Sequence, residues 1–214
     1  MVFLVGLRGD HRNIMMNQVI EHYDLLIEEG NDPVHDPKPL QDYMDKWDGQ
    51  DFIDKLKLDK TKAVLEIGVG TGRLAVKTVP LCGQFLGVDI SSKTIERAKE
   101  NLANWDNVML FCGDFTTYSF PQTFNVIYSS LTFMHIKEKQ TALNKVMCLL
   151  KNEGRFVLSI DKNQEKFIDM GSRKIPVFPD NPQMMESYIK KAGLKIIEQS
   201  ETEFAHIFVA IKAV

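Results

Sequence analysis

A chain of 214 residues with 44% hydrophobic content can bury one sizeable core, and a single domain is the default at this length. A formal net charge of −3 with scattered lysines leaves no electrostatic footprint for nucleic acid, so no nucleic-acid partner is expected. Cys82, Cys112 and Cys148 form no CxxC pair, which argues against a disulfide framework and a zinc site and points to a reducing, cytoplasmic compartment, with the three thiols as core residues.

Met1 to Leu7 is apolar but broken by Gly6, and too short for a signal peptide or a membrane span, so no membrane association is expected. Arg8 to Asn13 is polar and patternless, and Met15 and Met16 stand just before a good helical pattern, which makes either an alternative translation start to Met1. From Asn17, Val19, Ile20, Tyr23, Leu26 and Ile27 recur at helical spacing, until Gly30 and the Asn31-Asp32-Pro33 turn close the helix. Pro33, Pro37 and Pro39 predict a stiff, extended connection to a second helical segment, Leu40 to Trp47, and Phe52, Ile53 and Leu56 begin a third. Residues 1–60 thus read as a helical cap ahead of a core at 61–214.

That core is organised around AVLEIGVGTGRLA, Ala63 to Ala75. Ala63, Val64, Leu65 and Ile67 make the apolar run of a strand buried on both faces, and Gly68, Gly70 and Gly72 follow at once. Leu74, Ala75, Thr78 and Val79 recur at helical spacing as far as Pro80, so the turn is expected to open a helix whose N–H groups favour anionic or electron-rich ligand atoms. A dinucleotide fingerprint wants its third glycine where Arg73 stands, which disfavours a nicotinamide cofactor. Glu66 lies at the end of the strand, where an acid is costly to bury unless it meets a polar partner such as a ligand ammonium. A second strand, Phe85 to Val88, ends in Asp89, about twenty residues past the first glycine, at the spacing of a ribose-binding acid.

Beyond Asp89 the chain alternates helix and strand, as a doubly wound sheet does. Ser91 is a predicted N-cap before the stripe Ile95, Ala98 and Leu102, Val108 to Cys112 is strand three, and Gly113 turns the chain ahead of Asp114, an acid that can also cap that turn. Phe124 to Tyr128 is strand four, ending in Ser129 and Ser130; Leu143, Val146, Met147 and Leu150 line the next helix, and strand five runs from Gly154 to Ile160. A long connection leads to Asn181 as N-cap with Pro182 at the first helical position, and Leu194 to Glu198 and Phe204 to Lys212 then form an antiparallel hairpin.

With LEIGVGTGRLA, GVDIS at 87–91, CGDF at 112–115 and FNVIYSSLTFMHI at 124–136, the sequence resembles the class I S-adenosylmethionine-dependent methyltransferases, in their small-molecule branch, over roughly residues 15–214. The resemblance implies an α/β, Rossmann-like, doubly wound seven-stranded sheet of order 3-2-1-4-5-7-6 with strand 7 antiparallel and an N-terminal helical lid. It also implies S-adenosyl-L-methionine as cofactor, with Glu66, Gly68, Gly70 and Gly72 around the methionine part, Asp89 on the ribose, Ile90 on the adenine, and Asp114 and Phe115 at the adenine edge. Ser129 and, from the lid, Tyr23 join this cofactor-binding set.

The loop after strand four handles the acceptor in related families and reads Ser129-Ser130-Leu131-Thr132 here, with neither the proline-aromatic motif of amide and adenine enzymes nor the Pro-Cys of cytosine enzymes, and no Asp for a catalytic cation. No metal is therefore expected, and the partner is a small-molecule methyl acceptor. His135 is the one candidate base in the loop, against the alternative that it packs or caps locally. Arg173 and Lys174 either face an anionic acceptor or lie in solvent. The expected function is methyl transfer to an O, N or S nucleophile, mainly by proximity and orientation; the alternative is a protein of the same fold that binds the cofactor or its product without turnover.

Overall fold

The computed structural model describes the backbone of residues 7–213 and the side chains of residues 14–213. The expectations for Met1 to Gly6 and for the side chains up to Asn13 lie outside the described residues.

Three helices lead the chain: α1 Leu7–Glu28, α2 Lys38–Met44 and α3 Gly49–Lys55. The sheet begins with β1 Ala63–Ile67, followed by the short α4 Ala75–Thr78, β2 Gln84–Asp89, α5 Ser92–Asn101, β3 Val108–Cys112, β4 Phe124–Ser130, α6 Lys139–Leu149 and β5 Leu150–Asp161. A two-stranded hairpin, β6 Phe167–Asp169 with β7 Lys174–Pro176, precedes α7 Pro182–Lys191, β8 Leu194–Glu201 and β9 Ala205–Lys212. The main sheet has the order β3-β2-β1-β4-β5-β9-β8, parallel from β3 to β5, with β9 antiparallel to both its neighbours. This is the expected seven-stranded arrangement, β8 and β9 being its sixth and seventh strands.

Period-two alternation builds a core on each face of the sheet. Leu65, Ile67, Leu86, Ile127 and Phe156 pack with α6 and α7, while Val64, Phe85, Val126, Tyr128 and Val157 pack with Phe52, Ile53 and Leu56 of the α3 region and with Ile95 and Leu102. Glu66 and Tyr128 are register partners on β1 and β4 and so share the second face. The predicted caps form: Ser91 Oγ accepts from Thr94 N at 3.1 Å, and Asn181 Oδ1 accepts from Met184 N at 2.9 Å.

Several boundaries differ from the sequence reading. α1 starts at Leu7, ten residues before Asn17, because Arg8 to Asn13 is polar and, past Gly9, free of Gly and Pro, so it carries no apolar period to reveal a helix. α4 is a single turn that passes into a 3-10 turn at Val79–Leu81, since Pro80 donates no N–H. It is therefore too short for the helix-terminus ligand site expected after the glycines. β5 begins at Leu150, and the β6–β7 hairpin lies in the connection where no strand was expected. Of the cysteines only Cys82 is buried; Cys112, at the tip of the edge strand β3, and Cys148, on α6, are exposed.

Candidate functional site

A cavity of about 520 Å³ opens at the carboxyl ends of β1 to β4, where ligands sit in open α/β sheets. Its floor carries one acid per strand end: Glu66 from β1, Asp89 from β2 and Asp114 just past β3. Glu66 is 3% exposed, and the Tyr128 hydroxyl donates to its Oε2 at 2.8 Å while sharing a 2.8 Å hydrogen bond with Thr78 Oγ1. Burial pushes the Glu66 carboxyl up to about 8. Asp89 Oδ2 accepts from Gly70 N at 3.0 Å and Oδ1 from Ser91 N at 3.0 Å, so one carboxylate fixes both the glycine turn and the start of α5; burial raises its pKa. Asp114 Oδ1 accepts from the backbone N–H and the hydroxyl of Thr116, each at 2.8 Å, and thus caps its turn while lining the cavity. Ile90 and the buried Phe115 also line it.

The three glycines have separate duties. All have positive φ, +77° at Gly68, +54° at Gly70 and +99° at Gly72, a region that favours glycine. A Cβ at Gly68 would lie 2.0 Å from Thr132 Oγ1, so Gly68 admits the loop after β4, whereas a Cβ at Gly70 would meet nothing within 4 Å, so the backbone there faces open cavity. Gly72 is not part of the cavity wall; its Cβ position is 3.5 Å from Leu102, which makes it a packing residue. Ser129 is likewise misplaced in the expected set. It pairs with Ile67 in the sheet register, and its buried hydroxyl donates to the Ile67 carbonyl at 2.9 Å. One residue on, the strand alternation turns Ser130 to the cavity.

Tyr23 enters from α1 and meets His135 from the loop after β4, with 2.9 Å between the Tyr23 hydroxyl and Nε2. Both line the cavity. His135 Nδ1 is buried without a partner, and burial, followed by the charges of His22 and Lys139, pushes the ring down to about 4. Since an N–H at Nδ1 would be a buried donor lacking an acceptor, we assign the proton of the neutral ring to Nε2, donating to Tyr23. The Tyr23 proton is then free to point into the cavity.

Arg73, Asp48 and Ser130 form a network that the sequence reading did not find. Arg73, in the cavity wall, donates Nη1–H to Asp48 Oδ1 at 2.9 Å and a second hydrogen bond to Oδ2, and Ser130 Oγ donates to Oδ2 at 2.7 Å. Asp48 also accepts from Gly49 N at 2.7 Å at the start of α3. A lone Asp in a polar connection gives no local signal for such a partnership. Arg173 does not face the cavity: it pairs with Glu29 and donates Nε–H to His22 Nδ1 at 3.0 Å, and Lys174 pairs with Asp169 at 3.0 Å. Among the described residues, no group of three or more His, Cys, Asp or Glu side chains is arranged to hold a metal ion, and no helix is long and apolar enough to cross a membrane.

An acid on each of three successive strand ends, a backbone open to ligand at Gly70 and a buried carboxyl at Glu66 fit a cofactor that carries an ammonium, a ribose and a purine. Residues 64–154 match the family model described as a methyltransferase domain. The chain thus carries a class I methyltransferase domain, and the cofactor of that class is S-adenosyl-L-methionine. Over 123 residues it is 33% identical to an uncharacterized methyltransferase of Anoxybacillus flavithermus, a match that covers 56% of this chain and 57% of that relative. The chain spans less than two thirds of the length of the curated relatives first matched. Among solved structures, the [4+2]-cyclase SpnF superposes with a TM-score of 0.74 at 16% identity, covering 94% of this chain and 97% of that one. The N-methyltransferase NodS from Bradyrhizobium japonicum WM9, in complex with S-adenosyl-L-homocysteine, has a TM-score of 0.67 at 15% identity, covering 92% of this chain and 98% of that one. These two likenesses show the fold.

Proposed function

We propose that the protein transfers a methyl group from S-adenosylmethionine to an O, N or S nucleophile of a small molecule. The observation that carries this reading is the row of acids Glu66, Asp89 and Asp114 on successive strand ends around one cavity. In it, Glu66 receives the ammonium, Asp89 the ribose hydroxyls and Asp114 with Phe115 the adenine edge, while Gly68 and Gly70 let the backbone approach the methionine part. When bound, the cofactor supplies a methyl on a sulfonium, already activated toward an acceptor lone pair. The protein's own work is positioning and water exclusion, with α1 as the lid. His135 orients Tyr23 in this scheme and is not a base, because its Nδ1 is sealed and its Nε2 is engaged.

That same lack of an open base favours a second reading, in which the fold binds the cofactor without methyl transfer. The test is calorimetry with S-adenosylmethionine, S-adenosylhomocysteine and NAD, followed by incubation with labelled methyl donor and a metabolite extract. Binding of the first two but not NAD, with a labelled product, supports the proposal. Binding without any labelled product supports the second reading, and tighter binding of NAD overturns both.

A further inference from the structure

We infer that the acceptor has an uncharged, apolar body, seated on a wall of Met15, Met16, Ile136, Met170, Pro176 and Phe178. This rests on the methyl-transfer reading above and names the substrate class of that site. The cavity is divided by charge along the strand order. Three of its four lining acids stand at the ends of β3, β2 and β1 and the fourth, Glu138, is exposed past β4, where the apolar part of the wall is supplied by Ile136 and by the β6–β7 segment, which Phe178 N ties to the Met134 carbonyl at 2.7 Å. Among the described residues, neither α1 nor that hairpin contributes a charged side chain to the lining. The nearest cations of the hairpin are committed elsewhere, Arg173 to Glu29 and Lys174 to Asp169. Arg73 is neutralised by Asp48, and Lys137 and Glu138, of opposite sign, are exposed at the rim.

A carboxylate, phosphate or ammonium buried against this wall would therefore lose its hydration without gaining a counter-charge. An aliphatic or aromatic body loses nothing and buries apolar surface. Met170 is 46% exposed and also lines the cavity, so the apolar wall continues to the surface. Three methionines in the wall adapt to bodies of different shape.

The experiment keeps the nucleophile constant and varies the body. Hexanethiol and benzyl mercaptan, mercaptoacetate and cysteamine are offered to the full-length protein saturated with S-adenosylhomocysteine, and binding is read by equilibrium dialysis. The two apolar thiols are expected to bind at least about tenfold more tightly than either charged one, and Met170→Asp to cut hexanethiol binding by about tenfold. Equal or tighter binding of a charged thiol, no binding of the apolar pair, or an unchanged hexanethiol affinity in Met170→Asp overturns the inference. If S-adenosylhomocysteine itself fails to bind, the methyl-transfer reading falls separately, and the same series on the free protein still decides whether the wall selects apolar bodies.

Discussion

The Tyr23 hydroxyl lies 2.9 Å from His135 Nε2 across 112 positions of sequence, and this pair joins the N-terminal helix to the loop after β4 over the cavity. With the ring proton at Nε2, His135 donates to Tyr23, and the lone pair that it keeps, on Nδ1, is buried. Tyr23→Phe should lower the melting stability by about 1–3 kcal/mol, since it leaves the His135 donor buried and unpaired. His135→Ala should retain methyl transfer within about tenfold. A loss of about 10²-fold to 10⁴-fold, the range for removing a general base, would restore His135 as the base.

The same histidine sets a pH dependence. Its folded pKa, about 4, lies below the ordinary value of 6.5, so between those values the unfolded chain binds the extra proton. His22, beneath Arg173, is shifted in the same direction, first by burial and then by that guanidinium. The contribution of His135 to stability is complete above pH 6.5 and is lost as the pH falls toward 4. Chemical denaturation across that window should show a smaller loss in His135→Asn than in the parent; equal slopes would place the titration elsewhere.

Glu66 predicts a proton released on cofactor binding. At pH 7 a carboxyl raised to about 8 is mostly protonated, and a ligand ammonium beside it favours the ionised form. Calorimetry in two buffers of different ionisation enthalpy should report net release of a fraction of a proton, with affinity rising between about pH 6 and 8. Glu66→Gln should abolish the release that belongs to this residue. Identical proton counts in parent and variant would move the ammonium away from Glu66.

Asp89→Ala should weaken cofactor binding by about tenfold to a hundredfold, as removal of hydrogen bonds to a charged acceptor does. Because Gly70 N and Ser91 N also lose their acceptor, the melting temperature should fall as well. Unchanged affinity in a folded variant would remove the ribose assignment.

How far the sequence reveals this molecule depends on whether a feature is local. β1 and β3 were legible to the residue because short, mostly apolar runs mark the strands of a parallel sheet, and Ser91 and Asn181 because a cap is a short-range device. Glu66 and Asp89 stood out as acids interrupting such runs. The Arg73–Asp48–Ser130 network joins residues 25 and 82 positions apart, and no periodicity encodes it. Ser129 shows a different failure: the strand end was found but the face was not, although the Glu66–Tyr128 register pair fixes that Ser130 shares the cavity face. The hairpin β6–β7 escaped because three-residue strands are shorter than any alternation can mark.

The lid assignment leads to a prediction about where the N-terminal segment can be cut. α1 supplies Val19, Tyr23, Leu26 and Ile27 to the cavity and is tied to the core by Asp24, which accepts from Ser91 Oγ at 2.6 Å, and by Glu29, which follows α1 and pairs with Arg173. Trp47 is not among the cavity-lining residues; it packs on Phe204 and its carbonyl accepts from Ser159 Oγ at 2.6 Å. Asp48, fully buried, balances Arg73, so a deletion that removes it leaves a buried guanidinium unpaired, at a cost of about 3–5 kcal/mol. A cut at residue 31 spares Asp48, Trp47 and the Phe52, Ile53 and Leu56 core. That truncation should remain folded by circular dichroism and should lose methyl transfer to an identified acceptor by a larger factor than it loses cofactor affinity, because water then reaches the reacting atoms and the acceptor loses part of its wall. A cut after Asp51 should instead unfold, or melt far lower than the cut at 31. Normal turnover in the shorter deletion would eliminate the lid, and its unfolding would make α1 a structural layer of the domain.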